Sequence, residues 1–170
     1  QRADYLIIAH ASFMNAVQPL AQFRASQGMV VKVIDVDWLY DQFNAGILDP
    51  QAIKNFIDYA YHQWAGPAPS FVLLVGDANF NPMGYNQAYY GPWEQTYVPT
   101  FNLVIDPYTG EVAVDNAFVT VSGSDILPDL YIGRMPAQTQ AQVTAMVNKT
   151  IAYERTTPAA DWRHHTLFVA

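Results

Sequence analysis

Asp77 is the carboxylate of this sequence best placed to do chemistry. It follows Gly76 at the end of the apolar run Phe71-Val72-Leu73-Leu74-Val75, and open α/β sheets collect their ligands and catalytic groups at the carboxyl ends of such strands. The same position also suits a structural carboxylate that caps a turn or pairs with a base. Arg134 offers that base. Leu130-Tyr131-Ile132 ends at Gly133-Arg134, so if the two strands are neighbours, Asp77 and Arg134 emerge at one edge and form an ion pair. Asp115, Asp125 and Asp129 crowd a second region, where a hard cation such as calcium could hold the turns together through their oxygens. No EF-hand loop accompanies them. A metal with an open coordination position, held by Asp77 and Asp115, would suit hydrolysis instead.

Other chemistries find less support. The four histidines, His10, His62, His164 and His165, lack an H-x-x-x-H spacing, and packing or surface roles are expected for them. Ser122-Gly123-Ser124 does not match a G-x-S-x-G nucleophile elbow. Walker and G-x-G-x-x-G signatures are absent, which argues against nucleotides. The chain contains no cysteine, so disulfides, thiolate metal sites and a cysteine nucleophile within these residues are excluded. Eight scattered Lys and Arg in a chain of net charge −7 leave no basic stripe for nucleic acid. No apolar run approaches the length of a membrane span, and no metal or other cofactor is required by any motif.

The elements that would position these groups read as one α/β domain of 170 residues. Residues 71–75 are apolar at every position, which a strand needs when both sheet faces are covered. Residues 4–10 form a similar run and predict the first strand. Ser12 is a candidate cap, and Pro19 predicts a helix that begins near it and ends at Gly28. A Val-rich strand over 29–36 follows, so the first unit is strand, helix, strand. Residues 37–43 predict a short helix stopped by Gly46. Asp49-Pro50 predicts the start of a longer one, with Ile53, Phe56, Ile57, Ala60, Tyr61 and Trp64 on its apolar face and Lys54 pointing away.

Residues 78–99 are dense in Asn, Gly, Pro and Tyr and predict a long loop. Its aromatic residues either bind glycan or peptide, or, as expected, Tyr85, Tyr89, Tyr90 and Trp93 pack it onto the sheet edge. A β-hairpin turning over 106–110 comes next. Thr139-Gln140-Ala141-Gln142 fits a capping box for a helix with Val143, Met146, Val147 and Ile151 as its buried stripe, running to about Glu154. Pro158, Asp161 and Trp162 fall in a connection. Residues 166–170 predict a last strand, and a chain that stops within a strand is expected to be the amino-terminal piece of a longer one.

The order of these segments resembles the amino-terminal part of the gingipain-type (C25) cysteine peptidases, a caspase-like family. The resemblance rests on Asp4-Tyr5-Leu6-Ile7-Ile8, on residues 20–28 before the Val-rich strand, and on residues 71–77. Its most specific piece is Leu127-Pro128-Asp129-Leu130-Tyr131-Ile132-Gly133-Arg134-Met135-Pro136, followed by Ile151-Ala152-Tyr153-Glu154. It implies a parallel, flavodoxin-like sheet with helices on both faces and a small hairpin insertion. Residues 1–160 would be the non-catalytic amino-terminal subdomain of a secreted or cell-surface endopeptidase. Residues 161–170 would be the linker and first strand of a second, catalytic subdomain that packs beside it. The reactive His-Gly and Cys would lie there, beyond this chain, and act on protein or peptide substrates. His165 does not match the family histidine, because it precedes the strand and lacks the following glycine.

Overall fold

The computed structural model describes residues 1–85, 87–92, 94–108, 110–156 and 164–168. In chain order the elements are β1 (Tyr5–Ala9), α1 (Met14–Ser26), β2 (Val31–Asp35), α2 (Val36–Phe43), α3 (Pro50–Gln63), β3 (Phe71–Val75), α4 (Gln87–Tyr90), β4 (Asn102–Asp106), β5 (Gly110–Ala113), β6 (Tyr131–Met135) and α5 (Gln140–Arg155). The main sheet is parallel in the order β2-β1-β3-β6. As expected, β3 and β6 are neighbours. The antiparallel pair β4-β5 is the expected hairpin, apart from the main sheet.

Alternate residues of the central strands supply two cores, because successive side chains point to opposite faces. Leu6, Ile8, Val72 and Leu74 pack with α2, α3, Phe118 and Val119. Ile7, Ala9, Leu73 and Val75 pack with Phe13, α1 and α5. Helices therefore cover both faces, and the α/β fold expected from the uninterrupted apolar strands is the one observed.

The helix ends follow local chemistry. Asp35 accepts from Asp37 N at the start of α2, and Asp49 accepts from Gln51 N at the start of α3. Thr139 and Gln142 form the capping box of α5. At the end of α1, Gly28 adopts φ +90°, its N–H bonds Ala25 O, and Met29 N–H bonds Arg24 O. This pair of bonds is a Schellman closure.

Five local expectations need correction. Pro19 lies inside α1 and not at its start. Phe13, Val17, Leu20 and Ala21 recur at helical spacing and bury, and that packing outweighs the roughly 3 kcal/mol an interior proline costs. Ser12 does not cap α1, whose N-cap position is Phe13 with no side-chain bond; His10 Nδ1 accepts from Ser12 N at 3.2 Å in the 3-10 turn Ala11–Phe13 just before it. Lys54 does not point to solvent, since its Nζ donates to Ala117 O at 2.6 Å and Thr120 Oγ1 at 3.0 Å. A cation on a long stem can reach carbonyls from the margin of an apolar face. Gly133 and Arg134 belong to β6 and do not end it, because Val75 continues to pair with Met135. Residues 166–168 form no strand among the described residues and are exposed, because an apolar run becomes a strand only where a pairing edge receives it. Trp93, Pro158, Asp161, Trp162, Val169 and Ala170 lie outside the described residues.

Two pieces of the resemblance meet in space. Arg24 of α1 holds Glu154 of α5 through two bonds of 2.6 Å, with the side chains 16% and 30% exposed. Charge-assisted, two-pronged pairs are the strong ones. Glu154→Ala is expected to lower unfolding stability by about 1–2 kcal/mol in a urea titration, through loss of this tie between α1 and α5. A change indistinguishable from zero would show the pair to be ornamental.

Candidate functional site

The carboxyl edge of the main sheet is built around Gly76 and Asp77. Past β3 the backbone ladder continues, with Gly76 N–H on Met135 O at 3.0 Å and Asp77 N–H on Ala137 O at 3.0 Å. Gly76 has φ +143°, and a Cβ there would lie 2.7 Å from Tyr97 Cβ and 3.0 Å from Val98 Cγ2. Glycine is required here by both backbone conformation and close approach. The loop returns onto the same point, where Asp77 O accepts from Tyr97 N and Val98 N at 2.9 and 3.2 Å. Asp77 Oδ1 takes Ala78 N at 3.0 Å and Oδ2 takes Gln138 Nε2 at 3.1 Å. Its carboxylate therefore ties the strand end to the start of the β6–α5 connection.

Arg134 does not pair with Asp77. From the β6 position opposite Leu74, its Nε and Nη2 donate to Asp115 Oδ2 and Oδ1, both at 2.8 Å. Nη1 donates to Gly76 O at 2.8 Å and Val98 O at 2.7 Å, and Nη2 also to Pro99 O at 3.0 Å. A guanidinium has five N–H donors in a fixed fork. All five are engaged, and the side chain is 12% exposed. The expected pairing fails because the residues after Val98 and the turn at Asp115 fold over the strand end, so the closer carboxylate and three carbonyls reach Arg134 first.

Asp115 also accepts from Thr100 Oγ1 at 2.8 Å. Burial acts to raise its carboxyl, but the Arg134 hydrogen bonds and charge, aided by Thr100, overcome this and hold it below its ordinary value of 3.8. Asp77, Thr100, Asp115 and Arg134 line a small open cavity of about 290 Å³. It has a saturated cation, a neutralised carboxylate and, in Thr100, a hydroxyl already donated to Asp115. The cluster is a clamp that seats the hairpin and long loop on the sheet.

Asp115, Asp125 and Asp129 are not brought together. Asp125 Oδ1 accepts from Leu127 N at 2.9 Å, while Asp129 Oδ2 accepts from Val121 N and Ser122 N, both at 2.8 Å. Each carboxylate closes its own turn, and among the described residues no group of three acidic or histidine side chains could hold a metal ion. His62 lies 3.3 Å from Asp58 on α3. His10 packs edge-on to Tyr97, with ring centroids 5.1 Å apart.

The long loop differs from expectation at Tyr85 and Tyr89, while the Tyr90 side chain and Trp93 lie outside what is described. Tyr85 and Tyr89 are 71% and 78% exposed and do not pack it down. Tyr97 does so, its ring tilted 39° against that of Phe13 with centroids 4.8 Å apart, beside buried Thr96 and Val98. Asn79 and Asn81 hold the rest by bonding Glu94 O and the Tyr85 backbone, as asparagine does in turns.

This fold has counterparts in known proteins. The family model of peptidase family C25 matches residues 1–170. The chain belongs to peptidase family C25. Lys-gingipain of Porphyromonas gingivalis is 25% identical over 170 residues, covering 97% of this chain and 8% of the relative. The C25 chain thus spans a small part of that relative's length. Among solved structures, dimeric latent PorU of Porphyromonas gingivalis gives a TM-score of 0.76 at 23% identity, covering 98% of this chain and 17% of that one. The complex of RgpB pro- and mature domains from Porphyromonas gingivalis gives 0.63 at 17% identity, over 88% of this chain and 28% of that one. These likenesses establish a shared fold. In this C25 chain, the piece of the resemblance around Gly133-Arg134 is also the piece that carries the clamp.

The role of Asp115 as partner of Arg134 is the feature sequence reasoning missed. The available signal was that Asp115 directly follows the hairpin, whose return would bring it back to the strand ends. No helix of the described residues is long and apolar enough to cross a membrane.

Proposed function

We propose that this chain is the non-catalytic amino-terminal subdomain of a gingipain-like cysteine endopeptidase. The single observation that carries the reading is a C25 family match over 170 residues that contain no cysteine. In this reading residues 1–160 are a scaffold, and 161–170 lead into a catalytic subdomain of the same polypeptide. There a histidine assists formation of the thiolate that attacks a peptide carbonyl, and backbone amides stabilise the oxyanion. The saturated Arg134 cluster supports a scaffolding role, because a guanidinium with every donor engaged has none left for a substrate. The parent is then a secreted or cell-surface protein acting on protein or peptide substrates.

The expected result is that the purified chain neither hydrolyses peptide substrates nor becomes labelled by thiol-directed inhibitors. The parent reading frame beyond Ala170 is expected to encode a strand ending in His-Gly and, later, one ending in Cys. Turnover by the chain alone, or a parent lacking that pair, would overturn the assignment. The exposure of Tyr85 and Tyr89 favours a second reading, a glycan- or peptide-binding module using residues 78–99. An oligosaccharide or peptide array that is bound by the chain and lost on Tyr85→Ala, with no catalytic pair in the parent, would establish it instead.

A further inference from the structure

The sheet has an open edge at β2, and that edge is the floor of a groove. Among the described residues β2 pairs with β1 alone, so one side of its backbone has no ladder partner. All five β2 residues line a cavity of about 680 Å³, within the range of binding clefts. Its wall is aromatic. Trp38 and Phe43 come from α2 and the residue that ends it, and Phe56, Tyr59 and Trp64 from α3 and its end. The rings meet edge to face, Trp38 with Phe56 at 85° and Phe56 with Trp64 at 74°. Trp38 and Tyr59 are each 48% exposed.

One side-chain cation faces this wall, with Gln1 also on the groove's lining. Lys32 Nζ lies 5.7 Å from the Trp64 ring centroid, and among the described residues Lys32 has no carboxylate partner. Asp35 also lines the groove, but it stands an odd number of residues from Lys32, on the other strand face, and its Oδ1 caps α2. Lys32 and Ile34 therefore define a face that offers one cation, an apolar floor and a row of rings.

The geometry points to a peptide-docking groove, in which an extended segment of a second protein adds as a fifth strand to the open edge of β2, setting a carboxylate against Lys32 and apolar side chains against the aromatic wall. Addition to an exposed edge draws affinity from the backbone ladder and specificity from alternate side chains. The required chemistry is thus an acidic residue flanked, two positions away on either side, by aliphatic ones. A second copy of this chain fits poorly. Antiparallel pairing of two β2 strands about Val33 sets Lys32 against Ile34 and brings the two Lys32 side chains onto one diagonal, with no carboxylate facing either.

The test titrates the purified chain with acetyl-Val-Thr-Glu-Thr-Val-amide, reading tryptophan fluorescence and the amide shifts of β2. Saturable binding is expected, weakened about tenfold or more when the peptide glutamate is replaced by lysine. Methylation of alternate peptide nitrogens should abolish it, because the ladder donors are removed. Lys32→Glu should reverse the charge preference, with circular dichroism confirming an unchanged fold. Absence of saturation at millimolar peptide, equal binding of the glutamate and lysine peptides, or indifference to methylation would each overturn the proposal. So would concentration-dependent dimerisation of the chain through β2, which would make a second copy the occupant.

Discussion

Arg134→Ala is expected to cost about 3 kcal/mol of unfolding stability, the lower end of the range for removing one partner of a buried ion pair, because this pair is only part-buried. The reason lies in how many groups the guanidinium serves at once. Its loss leaves the Asp115 carboxylate, 28% exposed, without its counter-charge, and the carbonyls of Gly76, Val98 and Pro99 without their donor. Those carbonyls belong to the strand end and the returning loop, so hydrogen exchange should rise first at residues 96–101 and in β4 and β5. Arg134→Lys should recover only part of the loss, since an ammonium cannot span the same fork of acceptors. A denaturant midpoint for Arg134→Ala equivalent to less than about 1 kcal/mol of destabilisation would sink the view of this residue as a clamp.

The same cluster sets a pH dependence with a definite sign. Burial raises the Asp115 carboxyl, and Arg134 with Thr100 lowers it by more, so its folded value lies below the ordinary 3.8. The Arg24 hydrogen bonds lower Glu154 from 4.5 against an opposing effect of burial. A folded value below the unfolded one means that the unfolded chain binds more protons on acidification. The stabilisation is fully present above the unfolded values and is lost as pH falls from there through the folded values. Urea stability should therefore decline on acidification below about pH 4.5, and the decline should be shallower in Arg134→Ala, where the Asp115 contribution is already gone.

Gly76→Ala is the second large effect, at about 3 kcal/mol or more. Two independent costs add. A backbone with φ +143° is outside what an L-side chain readily adopts, a strain of about 1–3 kcal/mol. The new methyl would lie 2.7 Å from Tyr97 Cβ and 3.3 Å from Val98 N, and overpacking of that kind costs about 1–3 kcal/mol more. The neighbour at fault is partly backbone, which cannot swing aside as a side-chain tip can. Thermal unfolding should drop by several degrees, with the near-ultraviolet signal of Tyr97 altered before the transition. A melting temperature matching the parent would mean that the loop does not rest on Gly76 as described.

How far the sequence could be read divides along physical lines. Uninterrupted apolar runs at 71–75 and 5–9 announced strands covered on both faces, because a strand with one wet face would alternate apolar with polar residues. Asp49-Pro50, Thr139 with Gln142, and Gly28 announced helix ends, because capping depends on a few neighbouring atoms. Those features are local, and local chemistry is written residue by residue. The metal triad and the Asp77–Arg134 pair failed for the opposite reason. Which carboxylate meets Arg134 depends on how the hairpin folds back over the strand end, and the position of Asp115 just past the hairpin points to that return without fixing its partner. The same holds in the aromatic loop, where Tyr97 and not Tyr85 packs down because the strand-end backbone captures residues 97 and 98.

The chain by itself therefore determined the parallel sheet, the helices α2, α3 and α5 with their caps, and the end of α1, since burial pattern and caps act over a few residues. Tertiary structure alone decided that Asp115 and Arg134 form one saturated clamp, that Asp125 and Asp129 close separate turns, and that β2 borders an aromatic groove. Each of those outcomes rests on contacts between segments distant in sequence, whose energies depend on distances that exist only once the chain has folded.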